Sequence, residues 1–173
     1  MNKKKLTTIF SIFVLCGIIG FIYEMLFYRI DLGYFVKRGS TFGPWITIYG
    51  FGAILIYFLA IKFKKKPILV FIISLVVSGL LELISGFILL KVFHLRLWNY
   101  YEEILNFGNI GGFVCLRSIL TFGLFGLLLI YAIVPIIERV ISKDKKNILF
   151  IISLILTTIF ILDNIIFWII IKA

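Results

Sequence analysis

The chain has 173 residues, of which 62% are hydrophobic and only 15% charged, and its mean hydropathy is +1.17. A soluble domain is about half apolar, so this composition excludes a water-soluble globular fold and makes the lipid bilayer both solvent and first partner. The net charge of +10 would suggest nucleic acid in a soluble protein. Here the lysines fall in short segments between apolar runs, where they orient the chain in a membrane, and nucleic acid is not an expected partner.

In chain order, MNKKKLTTIFSIFVLCGIIGFIY opens like a signal peptide, with a basic start and an apolar centre. The apolar run continues to Ile30 without a small-x-small cleavage site, so a retained signal-anchor helix is expected. The apolar runs predict five transmembrane helices, at about residues 6–30, 45–63, 67–92, 112–137 and 148–171, each long enough for roughly 30 Å of hydrocarbon. The fold expected is all-α and polytopic, a single transmembrane domain over residues 1–173 with a polar or re-entrant segment outside the membrane.

Orientation follows from the ends of the spans. Eleven Lys and Arg (residues 3–5, 62, 64–66, 139, 143, 145 and 146) lie on one side and seven (residues 29, 37, 38, 91, 96, 117 and 172) on the other or inside the runs. The more basic side faces the cytoplasm. That rule predicts a cytoplasmic N-terminus, an extracytoplasmic C-terminus, and two long extracytoplasmic segments, Asp31 to Pro44 and Phe93 to Gly111.

Within the spans, polar residues recur at helical spacing. Gly17, Gly20 and Glu24 share one side of the first span; Ser74, Ser78, Glu82, Ser85 and Gly86 form a stripe in the third; the fourth carries Arg117 and Ser118; the fifth carries Asp163 and Asn164. Such stripes turn away from lipid. At about 1.5 Å per residue, Glu24, Glu82, Arg117 and Asp163 all fall in the outer third of the bilayer. A charge left in hydrocarbon costs at least about 2.5 kcal/mol, so the four are expected to face protein. One reading is a structural ion network in which Arg117 ties helices together through an acid. The other is a pocket for a small polar or cationic ligand, since three acids outnumber one base.

The polar segments supply the rest of the candidate ligand-binding set: Arg38, Trp45 and Tyr49 around the first, and Trp98, Asn99, Asn106 and Asn109 in the second. Pro44 beside Gly43 continues neither neighbouring helix and predicts a tight turn or re-entrant dip. Trp45 and Tyr49 also suit an interfacial aromatic belt, and Arg38 suits an anionic group of a ligand or lipid. The two cysteines, Cys16 and Cys115, lie inside apolar runs, and there is one histidine, His94. No disulfide framework, metal site or cofactor is expected from these.

FIYEMLFYRI, KRGSTFGPWITIYGFGA and LWNYYEEILNFGNIGGFVCLRS carry a family resemblance. From about Gly17 to Val140 the chain resembles the ABC-transporter type IV, or CmpB-like, family of small bacterial membrane proteins. The family pattern maps onto Tyr23-Glu24, Arg38-Gly39, Gly43-Pro44, Tyr49-Gly50, Trp98 to Tyr100, Asn106 and Gly111. Two positions depart, with Asn99 where aspartate is usual and Thr47 where proline is common. The resemblance implies a membrane component of a transport system. No G-x-x-x-x-G-K-[ST] loop is present, so ATP hydrolysis by the P-loop route would belong to a partner ATPase subunit. The segments between spans two and three and between spans four and five are too short for a conventional docking element. A contrasting reading is a membrane enzyme using paired carboxylates on a lipid-linked substrate; no nucleophile and base spacing is legible, so no catalytic residue is assigned.

Overall fold

The computed structural model describes residues 2–172, with side chains through residue 170. Six α-helices follow one another: α1 (Lys3–Leu32), α2 (Thr47–Ala60), α3 (Pro67–Phe93), α4 (Leu116–Leu128), α5 (Val134–Lys143) and α6 (Ile148–Lys172). Among the described residues there is no strand, only an isolated bridge between Ile110 and Val114. The fold is an all-α polytopic membrane architecture.

Among the described residues, four helical stretches are long and apolar enough to cross a membrane: Lys3–Leu32, Pro67–Phe93, Leu116–Lys143 and Ile148–Ile170. The second expected span is shorter. It comprises α2 and the 3-10 turn Ile61–Phe63, so the apolar helix runs Thr47–Phe63, about 25 Å at 1.5 Å per residue. The fourth begins four residues later than expected, because Gly111 and Gly112 have φ of +63° and +75°, a left-handed conformation that belongs to a turn. It also runs past Ile137, through the π-helical turn Leu129–Ile133 and into α5, where Pro135 stands in the first turn. Pro135 lacks an N–H and its ring presses on the preceding turn, which accounts for the local widening.

The chain packs as two compact units. The first comprises the residues up to Ile54 together with those from Ala132 onward, and the second comprises Leu55–Tyr131.

In the first unit α1 packs with α6 and α5. Its apolar centre is Phe13, Val14, Trp45 and Phe160, with the Phe160 ring 4.6 Å from that of Phe13 and 4.7 Å from that of Trp45. Gly20 lets the Tyr49 ring lie directly on α1, since a Cβ there would stand 2.2 Å from it. This is the close approach by which membrane helices gain van der Waals contact, there being no hydrophobic drive between them in lipid.

In the second unit α3 packs along α4. The buried residues of α3 are Val70, Ser74, Ser78, Glu82 and Gly86, each four after the last, which is one face of a helix. Ser74 donates to the Val70 carbonyl at 2.8 Å and Ser78 to that of Leu75 at 3.1 Å, so both hydroxyls are satisfied within their own helix. Leu116, Leu120, Leu124 and Leu128 of α4 are exposed, again at four-residue spacing, and make its lipid face.

Candidate functional site

Each unit holds a polar cluster near the non-helical segment it contains. In the second unit the segment between α3 and α4 folds on itself. α3 ends at His94, whose φ of 54° is left-handed, and the Leu95 N–H returns to the Leu89 carbonyl at 3.0 Å, a Schellman-type stop. Side chains then do what a regular ladder would do elsewhere. Arg96 donates to Asn99 Oδ1 at 2.6 Å and to the Gly111 carbonyl at 2.9 Å; Asn99 donates to Glu102 at 2.7 Å; Asn106 donates to the Tyr101 carbonyl at 3.0 Å. Asn109 Oδ1 accepts the Gly112 N–H at 2.7 Å, while its Nδ2 is buried with no acceptor among the described residues. Trp98 donates its indole N–H to the Phe113 carbonyl at 2.9 Å, and the Tyr100 N–H reaches the Gly112 carbonyl at 3.0 Å.

These bonds bring Tyr100 down onto Glu82. Glu82 is only 4% exposed, and its carboxylate accepts the Tyr100 hydroxyl on Oε1 and the Ser118 hydroxyl, at 2.9 Å, on Oε2. Ser118 sits three residues into α4 and also accepts the Cys115 N–H at 3.2 Å, closing the helix start. Arg117, its neighbour, pairs with Glu103 at 2.5 Å, and its guanidinium lies 5.3 Å over the Tyr100 ring. Tyr100 thus touches a carboxylate with its hydroxyl and a cation with its face.

In the first unit Asp163 of α6 organises the segment between α1 and α2. It is buried, and it accepts the Phe42 N–H at 3.0 Å, the Gly43 N–H at 2.8 Å and the Trp45 indole N–H at 2.8 Å. The Thr47 hydroxyl donates to Asn164, so one turn of α6 grips both the loop and the start of α2. Nearer the start of the segment, Arg38 Nε donates to Glu24 at 3.1 Å, and the guanidinium lies 3.7 Å over the Tyr28 ring.

Of the residues singled out from the sequence, Glu24, Arg38, Trp45, Tyr49 and Asp163 belong to the first unit, and Glu82, Trp98, Asn99, Asn106, Asn109 and Arg117 to the second. Glu82 and Arg117 meet through Tyr100. Arg117 takes as ion partner Glu103, an acid outside the three expected for it, because the turn at Gly111 and Gly112 folds Glu103 back beside α4. Asp163 is engaged chiefly with backbone and indole N–H groups. Tyr28, Tyr100, Glu103 and Ser118 complete the clusters and are not in the candidate ligand-binding set, although Ser118 is marked on the fourth span and Tyr100 in the family pattern. Tyr100 opens a single 3-10 turn, Tyr100–Glu102, and Glu103 follows it, in a loop otherwise without periodic structure, where no helical spacing marks them. Among the described residues no group of three or more His, Cys, Asp or Glu is placed to hold a metal ion.

A family model described as "Putative ABC-transporter type IV" matches residues 11–167. The chain belongs to this family. The match extends beyond the stretch from Gly17 to Val140 that carries the motifs, and it takes in α6 with Asp163. Both polar clusters therefore lie inside the type IV family region. No curated protein and no solved structure matches the chain.

Proposed function

We propose that this ABC-transporter type IV family member is a membrane-embedded binding subunit of a transport system, energised by an ATPase on another polypeptide, and that a small polar or cationic molecule binds at Glu82. The N-terminus is cytoplasmic and the C-terminus extracytoplasmic, as the eleven-to-seven distribution of basic residues favours. The segment between α3 and α4 then covers Glu82 from the outer side, and entry is by displacement of that cover.

The observation that carries this reading is the choice open to the Ser118 hydroxyl. Its single proton has two acceptors at 2.9 Å, the Glu82 carboxylate and the Cys115 carbonyl. A ligand that donates to Glu82 can release Ser118 to Cys115 without leaving a buried hydroxyl unsatisfied, an event that would otherwise cost about 1–3 kcal/mol. An amine or hydroxyl on the ligand would replace the donors Glu82 now holds, and an ammonium would strengthen the bond by charge. Asp163 is held by the Phe42 and Gly43 backbone N–H groups and by the Trp45 indole N–H, whose ring is pinned against Phe160, and none of these donors has a second acceptor to turn to among the described residues, which favours Glu82 over Asp163 as the binding group.

The test is native mass spectrometry of gently extracted wild-type and Glu82→Gln protein. The reading expects a small adduct on the wild type that the variant lacks, with both proteins folded. A wild type that carries no adduct and whose Trp98 fluorescence answers to no polar or cationic compound would contradict it.

A further inference from the structure

The segment between α1 and α2 holds a second arrangement, in the first unit and separate from Glu82. Arg38 is fixed on two sides. Its Nε is spent on Glu24 at 3.1 Å, and its plane is stacked 3.7 Å over Tyr28. Its terminal nitrogens, Nη1 and Nη2, donate to no described residue. The side chain keeps 20% of its surface exposed, so that end of the fork is presented rather than enclosed. A guanidinium whose orientation is already set loses little freedom on binding, and its end-on pair of N–H groups matches two oxygens of a phosphate.

The surroundings identify the kind of phosphate. Tyr34, Phe35 and Phe42, from the same segment, are 61%, 64% and 69% exposed, a cost in water but the preferred site of aromatic rings at the headgroup level of a bilayer. Two more cations stand over these rings: Arg29 is 5.6 Å from the centre of Phe35 and Lys37 is 5.8 Å from that of Phe42. Rings that enter the headgroup layer carry these cations with them to the depth of lipid phosphates. Of the acids nearby, Glu24 is engaged by Arg38 and Asp163 by the loop's own N–H groups. Residues 29–44 themselves carry Arg29, Lys37 and Arg38 against the single acid Asp31, so the segment is net basic, aromatic and at the end of a membrane-spanning helix.

We infer that this segment is a binding site for an anionic phospholipid, with the headgroup phosphate on the Nη1 and Nη2 edge of Arg38 and the charge of Lys37 and Arg29 around it. Glu24 and Tyr28 are positioning residues that hold the guanidinium at the correct angle.

The probe is dioleoyl phosphatidylglycerol, with dioleoyl phosphatidylcholine and inorganic phosphate as controls, added to the purified full-length chain in neutral detergent and followed by native mass spectrometry and thermal unfolding. Phosphatidylglycerol is expected to be retained and to raise the unfolding temperature, with phosphatidylcholine at least about ten-fold weaker, because its choline cation cancels the phosphate charge and is repelled by Arg29, Lys37 and Arg38. Arg38→Gln should remove that preference. Tyr28→Leu leaves the ion pair with Glu24 in place and should weaken phosphatidylglycerol several-fold, which keeps the test decisive if Arg38→Gln does not fold. Equal retention of both lipids, or unchanged preference in a folded Arg38→Gln or Tyr28→Leu protein, would overturn the inference. Competition by millimolar inorganic phosphate as effective as by the lipid would also overturn it, assigning Arg38 to a soluble oxyanion instead.

Discussion

Asp163 accepts the indole N–H of Trp45 at 2.8 Å, although 118 residues separate them. The bond closes the first unit, because the same carboxylate also holds the Phe42 and Gly43 N–H groups while the Trp45 ring stacks on Phe160, one helical turn away from Asp163. Three donors converging on one carboxylate can be satisfied by an ionised acid and not by an amide, which brings two N–H donors of its own.

Asp163→Asn is therefore expected to leave at least one buried donor unpaired and to destabilise the protein by about 1–3 kcal/mol. Trp45→Phe keeps the stack on Phe160 and loses one bond, so its cost should be smaller, about 1 kcal/mol. Thermal unfolding in detergent gives the order. Limited proteolysis between Gly33 and Thr41 should speed up in Asp163→Asn more than in Trp45→Phe.

The Arg117 and Glu103 side chains are 14% and 5% exposed, and breaking a buried pair from one side strands the other charge. Arg117→Leu and Glu103→Gln should each destabilise by a few kcal/mol, of the order of 3. The double variant should cost less than the two summed, with a coupling of at least about 0.5 kcal/mol in a thermodynamic cycle. Additive losses would mean the pair contributes nothing.

Topology is open to chemical labelling. Single cysteines at Lys65 and Lys145, both in basic connections, are expected to resist an impermeant thiol reagent in intact cells. Cysteines at Ser40 and Phe107, both exposed, should react; a reversed pattern would invert the assignment. Agreement between Ser40 and Lys65 in either direction would mean that the Thr47–Phe63 helix does not cross the bilayer.

The helices were legible because a bilayer demands long apolar runs, and α1, α3 and α6 lie within two or three residues of the expected bounds. The stripe of Ser74, Ser78, Glu82 and Gly86 was equally legible, since helical spacing alone puts these residues on one face. Partners were not. Glu82 meets Ser118 from 36 residues away and Arg117 meets Glu103 from 14, and both contacts depend on a loop held by Arg96, Asn99, Asn106 and Asn109 rather than by any periodic element. The start of α4 moved for the same reason, because Gly111 and Gly112 read as the edge of an apolar run yet adopt turn conformations. Arg38 was visible as a basic residue beside an aromatic belt. That its terminal nitrogens are presented outward depends on Glu24 and Tyr28, which no spacing rule connects to it.

The central claim is that Glu82 binds a small polar or cationic molecule through donors that replace those of Tyr100 and Ser118. Ligand retention by the Glu82→Gln protein, followed with native mass spectrometry beside its thermal unfolding, tests it most directly. The account predicts an adduct of low mass on the wild type, its loss in Glu82→Gln, and an unfolding temperature near that of the wild type, since the amide keeps the shape of the side chain and can still accept from one hydroxyl. A folded Glu82→Gln protein that retains the same adduct would contradict it.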